Sequence, residues 1–355
     1  HFGSSHVSPS NCRVCRPLPG LTEQFSRGIM IWPLRVLPLL LLEAWLPLLA
    51  LGGPSDTSAA DYFWFKRAGT YVGHGAVPYD VPTNLSMPPA WTWENEDNEL
   101  MRHGPVIDGE RNIYLVVSSG RIIKFNPDGQ VLWSWRSAET EGLITTSPFL
   151  YRGWLYVVTM GWPVGRYINV HALDMETGRQ VWKTQQVCTW REKHPARVHF
   201  TCDCKTIGPD IASLSAHGGV VTFRTHMPVG GGACKVMGLN ASSGEFLWDY
   251  ATDHMVWNYY PMLTADGETI IFQDSTGTVY RVGLDGQEIW KAGTHAEVFG
   301  QTWTDGGLQI GPNGVVYAMK ALAINAGPGH ISAYRVSDGK HLWTSPYTQE
   351  APNAW

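Results

Sequence analysis

Charge is scarce in this chain of 355 residues: Asp, Glu, Lys and Arg make up 16% of it and leave a net charge of −5. Without an excess of basic residues there is no electrostatic case for nucleic acid, whose phosphates need a cationic face. Adjacent cysteines are absent; the closest approach is Cys202-Asp203-Cys204. Gly230-Gly231-Gly232 is followed by no helix start, so it is a loop and not a phosphate cradle. The long apolar run Val36 to Leu51 is interrupted by Pro38, Glu43 and Pro47. A charge in mid-bilayer costs about 2.5–3.5 kcal/mol or more, which counts against a spanning helix.

That run reads instead as a signal peptide over residues 30–52, with Arg27 and Arg35 as its positive flank and Ala50-Leu51-Gly52 as a cleavage site. An uncleaved anchor is the alternative, and with it the only route to a membrane. Residues 1–29 are then an unstructured upstream segment, and 53–97 an N-terminal extension, with or without a degenerate blade strand, ahead of the fold at 98–355. Secretion fits two acceptors for N-glycosylation, Asn84-Leu85-Ser86 and Asn240-Ala241-Ser242. It also fits the four cysteines beyond the signal, Cys188, Cys202, Cys204 and Cys234, an even number.

What the chain has in plenty is glycine (38), proline (23) and tryptophan (17), a composition of many turns and short strands. The unit Gly-x-x-x-Trp occurs five times, as Gly129/Trp133, Gly178/Trp182, Gly244/Trp248, Gly286/Trp290 and Gly339/Trp343. The tryptophans are 49, 66, 42 and 53 residues apart, and a degenerate sixth copy lies at Trp91. Ahead of each glycine, apolar runs alternate with polar turns, as in "TIIFQDSTGTVYRVGL" from Thr269. Glycine suits a tight turn whose last residue needs positive φ, and the Asp, Asn or Ser before it can bond the turn backbone. Four strands per unit at this period predict an all-β chain: a β-propeller of four-stranded antiparallel blades, five to six of them visible. The tryptophans then pack one blade on the next. After Trp343, "SPYTQEAPNAW" reads as the approach to a further blade.

Units such as "INVHALDMETGRQVWK" and "KVMGLNASSGEFLWDY" resemble the repeats of the pyrroloquinoline-quinone (PQQ) β-propeller superfamily. The resemblance covers roughly Asn98 to Trp343. It implies quinone-dependent alcohol or sugar dehydrogenases, outer-membrane assembly lipoproteins, or secreted propellers without known chemistry, and fold alone does not choose among them. Quinoprotein alcohol dehydrogenases of this fold pair their cofactor with adjacent cysteines and with a calcium or lanthanide held by Glu, Asn and Asp. Neither feature can be assigned to positions here, so no cofactor or metal is implied outside the oxidoreductase reading.

In such a blade the Gly turns and the first hairpin turns share one face, and the longer loops share the other. The latter are Met160–Arg166, Lys183–Pro209, His226–Cys234 and Ala321–Gly329. All four cysteines fall there, and three disulfide connectivities are open. The other reading is a metal site using His199, Cys202 and Cys204, with His194 and Cys188 nearby, although C-x-C is short for zinc spacing. His254, Asn258, His295 and Glu297, with Asp253 and Asp305, are candidates to line a polar funnel on this face. The plainer reading is hydrogen-bonded loop residues, and no nucleophile–base motif accompanies the histidines. Asn240 falls in a Gly turn, so a glycan there leaves the long-loop face open. The functional expectation is a secreted or lumenal monomeric module binding a protein or a small polar ligand on that face. The alternatives are a PQQ- and calcium-dependent oxidoreductase of alcohols or sugars, or another enzyme using the funnel.

Overall fold

The computed structural model describes residues 64, 66, 69, 84, 86–95, 99–101, 103–144, 146–160, 167–187, 214–224, 235–256, 259–293, 304, 307–323 and 326–346. All belong to one compact unit, Leu51–Trp355; the other unit, His1–Ala50, and with it most of the expected signal peptide, lies outside the described residues.

The described residues form five antiparallel sheets in chain order, the all-β repeat architecture of a propeller. The first holds β1 (Val106–Ile107), β2 (Ile113–Val117), β3 (Arg121–Phe125) and β4 (Val131–Arg136). The second holds β5 (Leu143–Ile144), β6 (Phe149–Tyr151), β7 (Trp154–Met160), β8 (Tyr167–Asp174) and β9 (Gln180–Val187). The third runs β10 (Ser215–His217), β11 (Val220–Arg224), β12 (Lys235–Asn240) and β13 (Phe246–Ala251). The fourth runs β14 (Met262–Leu263), β15 (Thr269–Gln273), β16 (Val279–Gly283) and β17 (Glu288–Ala292). The fifth runs β18 (Leu308–Ile310), β19 (Val315–Ala323), β20 (Ala326–Arg335) and β21 (His341–Thr344).

Burial grades outward along each sheet. The second strands β11 and β15 are almost wholly buried, because both sheet faces meet neighbouring sheets, whereas the last strands β4, β13 and β17 are largely exposed. Apolar clusters accordingly span sheet boundaries: one joins the first three sheets, one the third to the fourth, one the fourth to the fifth. In the second sheet the inner strand is split in two. Pro148, between the two pieces, has no N–H to give the ladder, and the N–H of Val158 on β7 donates to a side chain, Thr146 Oγ1, at 2.9 Å.

One irregularity recurs in every sheet. The pairing of each last strand with its neighbour slips by one residue, skipping Leu132, Val181, Leu247, Ile289 and Leu342. Each of these bulged residues immediately precedes the repeat tryptophan, and each is 39–51% exposed despite being aliphatic. A bulge re-aims the side chain that follows it. Here that side chain is the indole, turned toward the next sheet.

The expected long loop Ala321–Gly329 is not a loop. The β19–β20 ladder continues through Lys320↔His330 and Ala321↔Gly329 to Ala323↔Ala326, leaving only 324–325 between the strands. Backbone pairing across the hairpin outweighs the local breaker signal of Gly327, Pro328 and Gly329.

Candidate functional site

Each repeat tryptophan but Trp343, and Trp91 with them, meets the turn of the following repeat. Gly129, Gly178, Gly244, Gly286 and Gly339 have φ between +69° and +84°. A Cβ on any of them would lie 2.5–2.7 Å from a ring atom of Trp91, Trp133, Trp182, Trp248 and Trp290 respectively. The indole N–H then donates into the same turn. Trp91 bonds the carbonyl of Pro127 (2.9 Å), Trp133 that of Met175 (3.0 Å), and Trp182 that of Ala241 (2.8 Å). Trp248 bonds the carbonyl of Leu284 (2.7 Å) and Trp290 that of Val336 (2.8 Å). Two turn lengths are used, closing onto the glycine N–H from three residues back (Asn126, Gly283) or four (Asp174, Asn240, Arg335). In both, the carbonyl taken by the indole belongs to the residue after the closing one. Side-chain oxygens of Asn126, Asp174, Asn240, Asp285 and Asp338 hold these turns from within.

On the face expected to carry the long loops, Asp253 and His254 follow β13 and lead into the fourth sheet. Asp253 accepts from Lys291 at 2.8 Å, and its N–H donates to Tyr280 Oη at 3.0 Å. Tyr280 donates in turn to Asp274 Oδ2 at 2.7 Å, while Asp274 Oδ1 accepts from the N–H groups of Thr276 and Thr278. Burial and the Asp274 carboxylate push the Tyr280 hydroxyl far above its ordinary pKa, so it stays a donor. The half-buried His254 accepts at its backbone carbonyl from Thr252 Oγ1 at 2.6 Å. Asn258, His295, Glu297, Asp305, His194, His199 and the cysteines 188, 202, 204 and 234 lie outside the described residues. Asn84 is exposed and Asn240 half-buried, each with its side-chain oxygen bonded to the N–H two residues on.

Several buried ionisable groups escaped the sequence reading, Lys66 and His171 among them. Trp64 exchanges backbone hydrogen bonds with Ile107 at 2.8 and 2.9 Å, along the free edge of β1. Two residues later Lys66 donates to the carbonyl of Pro261, at the start of β14, and lies 5.3 Å from the centre of the Tyr260 ring. The N-terminal segment thus bridges the inner edges of the first and fourth sheets. Burial lowers the Lys66 pKa to about 7. Its only local signal was a lysine directly after the aromatic run Tyr62–Phe65.

The second is His171 on β8, fully buried and edge-on to Trp135. It contacts Thr159 Oγ1 at 2.9 Å and Gln180 Oε1 at 3.0 Å, with Glu141 3.7 Å away. Glu141 is also paired with Lys183. Burial lowers the His171 pKa despite the carboxylate.

A family model described as outer membrane protein assembly factor BamB, built on PQQ-type repeats, matches residues 89–189 and 168–354. The chain belongs to this family. Among solved structures it is similar to quinohemoprotein alcohol dehydrogenase ADHIIG from Pseudomonas putida HK5, at 12% identity and TM-score 0.57, covering 83% of this chain and 50% of that one. The quinohemoprotein alcohol dehydrogenase of Comamonas testosteroni stands similarly, at 12% identity and TM-score 0.55, covering 82% and 50%. BamB from Moraxella catarrhalis matches at 15% identity and TM-score 0.40, over 66% of this chain and 70% of that one. The chain spans about half the length of the two dehydrogenases, and at this identity the likeness is one of fold. No curated protein sequence matches.

Among the described residues no three Asp, Glu, His or Cys side chains converge as a metal site.

Proposed function

We propose that this propeller is a secreted or lumenal binding or scaffold module, taking a protein partner or a small polar ligand on its long-loop face. His254 with Asn258, His295 and Glu297 line that face in this reading. Disulfides among Cys188, Cys202, Cys204 and Cys234 brace it, and glycans at Asn84 and Asn240 leave it open. The single observation that carries the reading is the Trp64–Lys66 bridge between β1 and β14. Polypeptide then runs along the inner strand edges, where a cofactor-bearing funnel needs room. Membership in a family described by an assembly factor supports a protein partner over a turnover substrate.

The deciding experiment is titration of the purified, calcium-loaded protein with PQQ, followed by absorbance and by dye reduction with alcohols and sugars. The module reading expects neither binding nor reduction from folded protein. Stoichiometric binding with substrate-dependent reduction would replace it with a quinone-dependent oxidoreductase.

A further inference from the structure

The joint between the first and second sheets, where Trp133 meets the turn at Gly178, also holds a polar cluster beside the link that connects the two sheets. His171 on β8 sits at its centre, fully buried and edge-on to Trp135 of β4. Its ring nitrogens have different partners. Nδ1 lies 3.0 Å from Gln180 Oε1, an acceptor, so Nδ1 carries the proton of the neutral ring. Nε2, 2.9 Å from Thr159 Oγ1, then accepts from that hydroxyl. Thr159 Oγ1 in turn accepts from Asn169 Nδ2 at 3.5 Å. Asn169 is 2% exposed, and its Oδ1 accepts no hydrogen bond from any described residue. The link itself is held by Glu141. Its Oε2 accepts from the N–H of Ala138 at 3.3 Å and lies 3.7 Å from His171 Nε2, while Oε1 accepts from Lys183.

We propose that His171, Thr159 and Asn169 form a proton-operated switch that resets the link from Ala138 to Gly142 when the imidazole takes up a proton. In the imidazolium both nitrogens donate, so Thr159 Oγ1 accepts from Nε2 and must turn its own proton elsewhere. Asn169 supplies the acceptor: a half-turn of its amide brings Oδ1 to the hydroxyl. The chain from Asn169 through Thr159 to His171 then runs in the opposite direction. The exchange leaves Nδ2 where Oδ1 now stands, so either arrangement leaves one amide atom unbonded by the described residues, and the two differ little in cost. The new charge also competes with Lys183 for Glu141, and draws its carboxylate off the link toward Nε2. Among the described residues Glu141 and Lys183 are the charged groups that face the ring; β4 presents Trp135, β7 presents Thr159, and β8 itself Asn169. Burial sets the direction against the pull of Gln180 and Glu141, so uptake falls on the acid side of the ordinary histidine range. The link lies on the long-loop face, so acid alters the surface proposed above for binding; that last step rests on the binding reading, and the switch does not.

The test needs no ligand, so it stands apart from the binding reading. In the full chain with isotope-labelled histidine, long-range proton–nitrogen correlation reads the protonation of each ring nitrogen, and His171→Gln assigns the His171 signals. At about pH 7.5 the proton should sit on Nδ1, and titration to about pH 5.5 should add the second on Nε2. Over the same range, hydrogen exchange of the segment 138–144, corrected for its intrinsic rate, should become several-fold faster and recover at neutral pH, while β15 stays protected. His171→Gln should abolish that change. Asn169→Leu and Glu141→Gln should move the His171 midpoint to lower pH, and Lys183→Met to higher pH. Asn169→Leu is the specific arm, because it removes the waiting acceptor without altering any charge. The proposal fails if neutral His171 carries its proton on Nε2, or if Asn169→Leu leaves the midpoint unmoved. It fails if the segment exchanges alike at both pH values or responds equally in His171→Gln. Loss of protection in β15 together with the segment would make the event global unfolding and overturn it as well. Should His171→Gln not fold, the midpoints in Asn169→Leu and Lys183→Met decide alone.

Discussion

The ring of Trp182 occupies the space a side chain on Gly244 would need: a Cβ there would lie 2.5 Å from Trp182 Cε3, while Trp182 Nε1 donates to Ala241 O at 2.8 Å. Conformation and contact thus both demand glycine, and they can be separated. Gly314 has φ +71°, and a Cβ added to it would meet nothing within 4 Å. Gly314→Ala should therefore cost only the left-handed backbone, about 1–2 kcal/mol. Gly244→Ala should cost that plus overpacking of about 1–3 kcal/mol. Urea unfolding of both variants measures the gap; equal losses would mean that the indole yields freely.

Asp274 is fully buried and holds the β15–β16 turn with one oxygen and Tyr280 with the other. Asp274→Ala should destabilise by about 2–4 kcal/mol, since it frees buried donors as well as losing charge-assisted bonds. Tyr280→Phe should cost about 1–3 kcal/mol, the loss of a hydrogen bond to a charged group together with the acceptor of the Asp253 N–H. In a double-mutant cycle the two losses should be strongly non-additive. Additive losses would show that Asp274 acts through the turn alone.

Lys66 gives the stability a definite slope with pH. Its folded pKa of about 7 lies below the unfolded value of 10.5, so between these the unfolded chain holds a proton that the native chain has released. Stability therefore rises with pH across this window; the penalty is complete below pH 7 and is relieved above it. Stability should climb from about pH 7 to about 9.5, and Lys66→Met should flatten the climb. An unchanged slope in the variant would assign it to other groups.

His171 acts in the same sense at lower pH. Burial lowers its pKa, so as pH falls through the ordinary histidine range the unfolded chain gains a proton that the native chain resists. Stability should fall between about pH 7 and about 5.5, and less steeply in His171→Gln. Denaturant midpoints at the two pH values decide this.

The all-β repeat was readable because Gly-x-x-x-Trp combines a backbone requirement with a bulky residue at constant spacing. The bulge was not readable: Leu132, Val181, Leu247, Ile289 and Leu342 look like core positions, and only the pairing slip turns them outward. Nor was the indole's partner, a main-chain carbonyl whose position depends on the length of the next turn. Lys66 was hidden for a different reason, since its environment is built by Pro261, 195 residues away. On the loop face, Asp274 and Tyr280 stand six residues apart as Asp108 and Tyr114 do, whereas Asp253 joins them only where the third sheet hands over to the fourth.

The joint also has a direction and a low demand on its receiver. A carbonyl and the absence of a side chain are all that the receiving turn contributes, and turns as different as Asn126-Pro127-Asp128-Gly129 and Asn240-Ala241-Ser242-Ser243-Gly244 serve equally. What ties a repeat to a particular neighbour is then the apolar packing across the sheet boundary and not the joint, which any such turn can receive.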